Sequence, residues 1–332
     1  MEPLDPQQVF FQHLKGKLPA HISFVDEIAE FLHISNDSAY RRIRGEKSIS
    51  FDELQKICRH YKISLDSFLH LQSDSVVFNG RLKPNSESSF EEWIEDVCAQ
   101  LQFFNNHKEK HMYFLLKDIP PYVHFLIPEL MKFKVFMWMK SILAYKSLKG
   151  VQFDLQDNRY DQFAPITKKL IDLYTKIPMT EIWNPESIVS TLRQINFYKE
   201  AGSFKNPSDI QLLYSKVEEV INHLEKQAEL GLKFPVGEEP SSSASEYRLY
   251  VNELILGDNT IMAKMDGKPI TYLNYAVLQI IHTMDDRFNS AMADNLENLI
   301  MKSVMISQSG EKERVRFFNK QREKINEYRN LK

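Results

Sequence analysis

The stretch Phe24 to Gly45, FVDEIAEFLHISNDSAYRRIRG, limits what this chain can fold into more than any other. Val25, Ile28, Ala29 and Leu32 recur at helical spacing, and Ser23 ahead of them, with Asp26 in the first turn, suits a helix N-terminus. That helix must stop near His33, because Ser35, Asn36 and Asp37 compete for backbone hydrogen bonds and favour a cap. A second helix therefore starts after a tight turn. On a wheel of about 100° per residue Ala39 and Ile43 share its inner face, while Asp37, Arg41 and Arg44 point the other way with Ser38 at the edge. Gly45 suits the left-handed cap that ends it. A short cationic helix held from behind by small apolar contacts fits a major groove about 12 Å wide.

With Ala29, Leu32, Ile34, Ala39, Arg41 and Gly45, then Phe51-Asp52-Glu53-Leu54, Ile57 and Leu65-Asp66-Ser67-Phe68-Leu69, residues 5–71 resemble the phage-repressor helix-turn-helix family of the Xre or Cro type. Two positions depart from that pattern. His33 stands where the family usually has Gly at the turn, and His enters the left-handed region more readily than most residues. Arg42 stands where an aliphatic residue is often buried, so Ile43 is expected to take over the inward contact and rotate the helix. The resemblance implies a five-helix, lambda-repressor-like DNA-binding domain with double-stranded DNA as partner. Asn36, Ser38 and Arg41 would then reach base edges, with Tyr40 on the same DNA-facing surface, while Arg44, Lys47 and the Ser23 cap would hold phosphates. It also implies a homodimer whose two heads sit about 34 Å apart per helical turn on a two-fold operator.

Charge confines any such contact to one place. The 332 residues carry a formal net charge of -3, which excludes a protein that coats nucleic acid along its whole surface. Residues 1–72 hold nine Lys and Arg against ten Asp and Glu, so binding would rest on the cluster Arg41, Arg42, Arg44 and Lys47, opposed locally by Glu46. Apolar residues make up 43% of the chain, enough for two or three domains with real cores. Two cysteines, Cys58 and Cys98, make no disulfide framework and point to a reducing compartment. The most apolar run, Tyr122 to Leu148, is broken by Glu129, Lys132, Lys134 and Lys140, and no signal pattern opens the chain, so a cytoplasmic protein without membrane contact is expected.

Around the central stretch, Asp5-Pro6-Gln7-Gln8 reads as cap, first-turn proline and a Gln closing the box of a first helix. Ser50 to Glu53 is a capping box for a fourth, and Ser64 opens a last short turn through Leu69. Residues 1–72 are thus the DNA-binding domain and 73–89, rich in Ser, Asp, Asn and Pro, a linker. Residues 90–236 read as a helical bundle or repeat-like module. Phe90, Ile94, Val97, Leu101 and Phe104 line one seam, Pro128 to Tyr145 is apolar nearly all round, and Pro165, Asn184-Pro185 and Asn206-Pro207 open three successive helices. The last carries Ile210, Tyr214, Val217, Ile221, Leu224 and Ala228 in alternating steps of four and three and ends at Gly231; bundling within the chain is favoured over dimerisation because the pattern spans under three heptads. Residues 237–332 read as a β meander plus C-terminal helices, and could form one domain with 90–236. Runs at 247–256, 260–265 and 270–273 are separated by the turns Gly257-Asp258-Asn259 and Asp266-Gly267, and helices follow over 275–284, 289–305 and 310–330. The expected fold class is mostly α with a small antiparallel meander near 247–273.

Catalytic spacing is missing. His107 and His111 stand one helical turn apart without a third ligand, Asp154, Asp157 and Asp161 lack the Gly and bidentate Glu of a calcium loop, and no phosphate-cradling glycine motif occurs among ten Gly. The basic residues of the last helix, Arg314, Arg316, Lys320, Arg322, Lys324 and Arg329, read as a solvated face before a second nucleic-acid surface. The expectation is a non-enzymatic, sequence-specific transcriptional regulator needing neither metal nor cofactor, with a C-terminal sensing or oligomerisation module whose effector ligand or protein the residues do not name. The alternative is a protein-interaction scaffold that uses the same helix-turn-helix as a docking surface.

Overall fold

A computed structural model describes residues 5–16, 23–61, 63, 65, 75–80, 89–254 and 259–331. The chain divides into two compact units, Met1–Val77 and Phe78–Lys332.

In the first unit four helices are described: α1 (Pro6–Lys15), α2 (Phe24–Leu32), α3 (Asn36–Ile43) and α4 (Phe51–His60). The predicted fifth helix at 64–69 lies largely outside the described residues. Phe10, Phe11, Leu14, Phe24, Ile28, Ala29, Ala39, Ile57 and Ile63 form the core. The Asp5 carboxylate accepts from the Gln7 N–H and Pro6 occupies the first turn, as the capping pattern requires. Gln8 does not close a box. Its side chain reaches across to the carbonyl of Arg44 at 2.6 Å, so this residue ties α1 to the end of α3 instead.

The second unit overturns the expectation of a mostly helical chain with a small meander. Its strands form one mixed sheet of eight among the described residues, in the order β1-β7-β6-β5-β2-β3-β4-β8. They are β1 (Asn79–Gly80), β2 (Lys110–Leu115), β3 (Met179–Trp183), β4 (Tyr247–Val251), β5 (Thr260–Met265), β6 (Lys268–Ala276), β7 (Gln279–Thr283) and β8 (Val304–Met305). The helices are α5 (Phe90–Asn105), α6 (Pro128–Met137), α7 (Ala164–Tyr174), α8 (Val189–Glu200), α9 (Pro207–Leu230), α10 (Asp286–Met301) and α11 (Glu311–Asn330). β2, β3 and β4 run parallel, joined by the long helical crossovers that parallel pairing requires. Two of these strands lie inside the stretch read as purely helical. The predicted meander is also divided: β4 pairs with β3 and β8, whereas β5 pairs with β2 and β6. The Asp266-Gly267 turn does join β5 to β6, with both residues in the left-handed region. Residues 275–284, expected as helix, continue β6 and supply β7, with a register shift between Asn274 and Ala276. Residues 255–258, which carry most of the other predicted turn, lie outside the described residues.

Several helical expectations hold. Ser89 caps α5, accepting from the Glu92 N–H, and Phe90, Ile94, Val97, Leu101 and Phe104 are all buried. α9 ends at Gly231 in the left-handed conformation, and of its predicted seam Tyr214, Val217, Ile221, Leu224 and Ala228 are buried within the chain, as bundling predicts, while Ile210 is only partly buried. The helix expected from Pro128 to Tyr145 ends at Met137, continuing as a π turn over Trp138–Ile142. Asn184 caps no helix; its side chain turns the chain by accepting from the Glu186 N–H, and α8 starts only at Val189.

In the interior of the sheet, between β2 and β4, β3 buries a carboxylate. Glu181 is 0% and its partner Lys233 1% exposed, with 2.8 Å between them. Tyr174 and Lys233 donate to Oε1, while Trp183 and Tyr247 donate to Oε2. The Lys233 ammonium also lies 3.8 Å from the centroid of the Tyr247 ring. Burial lowers the Lys233 pKa and raises those of Tyr174 and Tyr247 well above the usual value, with Glu181 holding the lysine's proton and opposing loss of the tyrosines'. Breaking one side of such a pair leaves the other charge stranded in the core. Lys233→Met is expected to destabilise the chain by about 3–5 kcal/mol in denaturant titrations, and Glu181→Gln combined with Lys233→Met to recover much of that loss.

Candidate nucleic-acid interface

α2 and α3 form a helix-turn-helix through a left-handed turn. His33 has φ 55° and ψ 46°, and its neighbour Ile34 donates a backbone hydrogen bond to the Ala29 carbonyl at 2.9 Å, closing α2. Ser35 then caps α3 by accepting from the Ser38 N–H. Ser23 precedes α2 in extended backbone, but its side chain makes no cap hydrogen bond.

What rotates α3 about its axis is Arg42, not Ile43. Ala39 is fully buried and Arg42 is 7% exposed, while Ile43 is only partly buried against the core. Arg42 donates through Nε at 3.1 Å and Nη2 at 2.8 Å to the two Glu53 oxygens, and through Nη1 to the Ser38 carbonyl. Glu53 also accepts from the Ser50 N–H, completing the capping box of α4. Burial works against the Glu53 carboxylate, but the Arg42 guanidinium and the Ser50 N–H outweigh it and hold its pKa below the ordinary value. The expected rotation toward Ile43 does not occur, because the long arginine stem reaches a carboxylate on the next helix.

That setting leaves Tyr40, Arg41, Arg44 and Lys47 exposed. Arg44 lies over the Tyr40 ring at 5.5 Å, donates to its hydroxyl at 3.3 Å and pairs with Glu46 at 3.5 Å. The loop after α3 is held from behind by Gln7. Its amide donates to the carbonyls of Arg42 and Lys47 and accepts from the Ile49 N–H. Gly45 has φ +77°, the left-handed backbone that favours glycine, and a Cβ there would stand 2.7 Å from an Asp5 carboxylate oxygen, which would have to move aside. Asn36 is exposed but engaged, donating to Asp26 at 2.7 Å, and Ser38 is half-buried. The predicted contact residues thus divide. Tyr40, Arg41, Arg44 and Lys47 share the exposed side of α3 and its following loop, whereas Asn36 is tied to α2 and Ser23 lies one helix earlier.

The other candidate sites separate. His107 follows the end of α5 and His111 lies in β2, so the helical turn expected to bring them together does not exist; His111 instead contacts the Thr180 hydroxyl at 2.9 Å. Asp154, Asp157 and Asp161 each pair with a cation, namely Lys205, Arg159 and Lys132. Among the described residues no group of three His, Cys, Asp or Glu is placed to hold a metal, and no helix is long and apolar enough to cross a membrane. In α11, Arg322 pairs with Glu225 and Arg329 with Glu218, and Arg314 donates to the Ile306 carbonyl, so these basic groups dock the helix onto its own unit.

One cluster that sequence reasoning missed gathers Asp118, His124, Lys134, Thr191 and Gln194 beyond the carboxyl end of β2. Lys134 donates to Thr191 at 3.0 Å and to Gln194 at 2.6 Å, and His124 shares the same Thr191 hydroxyl at 2.8 Å. Lys134, His124 and Thr191 are buried, which seals the amine from any substrate. Only the fold assembles these residues, so spacing carried no signal. The second unit also has a groove of about 500 Å³ between α5 and the β6–β7 hairpin, walled by Trp93, Phe104, Tyr272 and His282.

No protein-family model, curated protein or solved structure matches the chain.

Removing the guanidinium should leave Glu53 without its main counter-charge: Arg42→Ala is expected to lower stability by about 2 kcal/mol, read from the melting temperature, with Arg42→Leu falling between. Burial lowers the Lys134 pKa to about 7, against the opposing pull of Asp118. The unfolded chain then binds more protons than the folded one above pH 7, so Lys134 makes stability rise with pH from about 7 to 10. Denaturant titrations of wild type and Lys134→Met should show the difference between them change in favour of wild type across that window.

Proposed function

We propose that the chain is a sequence-specific DNA-binding transcriptional regulator of the cytoplasm, acting as a homodimer, in which α3 enters the major groove and the second unit senses an effector or assembles the dimer. The observation that carries this reading is the rotation of α3: Ala39 and Arg42 face inward while Tyr40, Arg41 and Arg44 stand outward with Lys47 just beyond. A helix of eight residues has the length of a groove-reading helix, and Arg44, held over Tyr40, would contact a phosphate with little side-chain freedom left to lose. The aromatic-walled groove of the second unit has the size of a small-molecule site, which supports a sensing role. A docking surface for protein is the second reading, favoured by the acidic balance of the first unit and by Phe51, which is 77% exposed at the start of α4.

Salt separates the two. Binding of the full chain to genomic fragments should weaken linearly on a log-log salt plot, and the double variant Arg41→Ala with Arg44→Ala should bind more weakly with a slope shallower by about 0.9 per phosphate contact removed. Equal, weak binding by both proteins with a flat salt dependence would reject the regulator reading.

A further inference from the structure

Five charged side chains lie between Asp37 and Glu46, and three of them are engaged: Arg42 with Glu53, and Arg44 with Glu46 and Tyr40. Asp37 and Arg41 are exposed, and among the described residues neither side chain has a hydrogen bond or ion pair. Four residues apart, they lie on one face of α3, separated by about 6 Å along its axis. Base pairs repeat about every 3.4 Å, so this separation covers about two base-pair steps.

We propose that Asp37 and Arg41 read a cytosine and a guanine that lie within two base-pair steps of each other, Arg41 donating to guanine O6 and N7 and Asp37 accepting from the cytosine N4 amino group. This rests on the DNA-binding reading and gives it a preferred class of duplex. The chemistry is selective at both ends. Guanine alone offers two major-groove acceptors to a forked guanidinium. A carboxylate only accepts, and cytosine presents its amino donor without the neighbouring N7 acceptor that would repel the carboxylate at adenine. Held against phosphates, Asp37 weakens attachment to duplex in general, so its contribution to binding comes only where an amino group meets it. Tyr40 and Glu46 meanwhile keep Arg44 occupied at the helix end, leaving Arg41 as the guanidinium able to swing to a base edge.

The test is selection of bound duplexes from a pool with a randomised centre, using the full chain and its Asp37→Ala, Asp37→Asn and Arg41→Ala variants, with melting temperatures measured in parallel. The wild type should enrich a C and a G no more than two steps apart. Arg41→Ala should lose the guanine preference alone and Asp37→Ala the cytosine preference alone, each by roughly 5- to 150-fold. Asp37→Asn should move the preference from cytosine to adenine, since an amide both donates and accepts. If Asp37 acts only on the helix dipole, Asp37→Ala lowers the melting temperature with base preference unchanged, and the proposal falls. If both alanine variants erase the same position, Asp37 merely steers Arg41, and the two-base reading falls. Enrichment of a motif lacking this pair overturns the inference but leaves DNA binding standing; salt-independent binding with no enrichment overturns both.

Discussion

The bidentate contact between Arg42 and Glu53 governs what the first unit can present to a partner. A helix as short as α3 has little intrinsic preference for one rotation, since Ala39 offers only a methyl to the core. The guanidinium, reaching from α3 to the capping carboxylate of α4, selects the rotation in which Arg41 and Tyr40 face outward. Glu53 does two tasks at once, closing the N-terminus of α4 and receiving Arg42, so the geometry of one helix start sets the orientation of the preceding helix. Gln7 continues the same logic from α1, satisfying three backbone groups of the loop where Arg44 and Lys47 reside.

In the second unit the corresponding constraint is electrostatic and buried. Glu181 sits mid-strand in a five-residue strand whose side chains are all buried, and such a carboxylate persists only with its lone pairs filled. Four donors fill them, drawn from α7, β3 itself, the loop after α9, and β4. The network therefore holds together pieces of chain that lie far apart in sequence. It resembles Arg42 and Glu53 in kind, a polar contact fixing the register of elements that apolar packing alone would leave freer to slide.

Much of the first unit was legible because its signals are local. The caps at Asp5 and Ser50, the left-handed turn at His33 and the glycine at 45 each depend on a few neighbouring residues. Arg42 was misjudged because its carboxylate lies eleven positions on, and a basic residue reads as solvent-facing until that partner is seen. Strand β3 was missed for a different reason. Strands covered on both faces lose the alternation that marks a half-exposed one, and Met179-Thr180-Glu181-Ile182-Trp183 interrupts its apolar run with a charge that only the fold neutralises. The end of β6 and the whole of β7 passed for a helix over 275–284, where Leu278 and Ile281 stand three apart, a helical spacing that a tight connection between strands reproduces.

The interleaved strand order has a consequence for how the second unit could be taken apart. β3 comes from before the largely exposed connection at 238–245 and β4 from after it, yet they pair over five residues, and β5 from the later part lies against β2 from the earlier. A nick in that connection would sever the backbone without releasing either piece, because each supplies interior strands to the other's half of the sheet. The interior is shared in the same way, with Trp183 and Leu224 from the earlier piece packed in one cluster with Tyr247 and Phe318 from the later, so the two would stay joined by a common core after the backbone between them is cut.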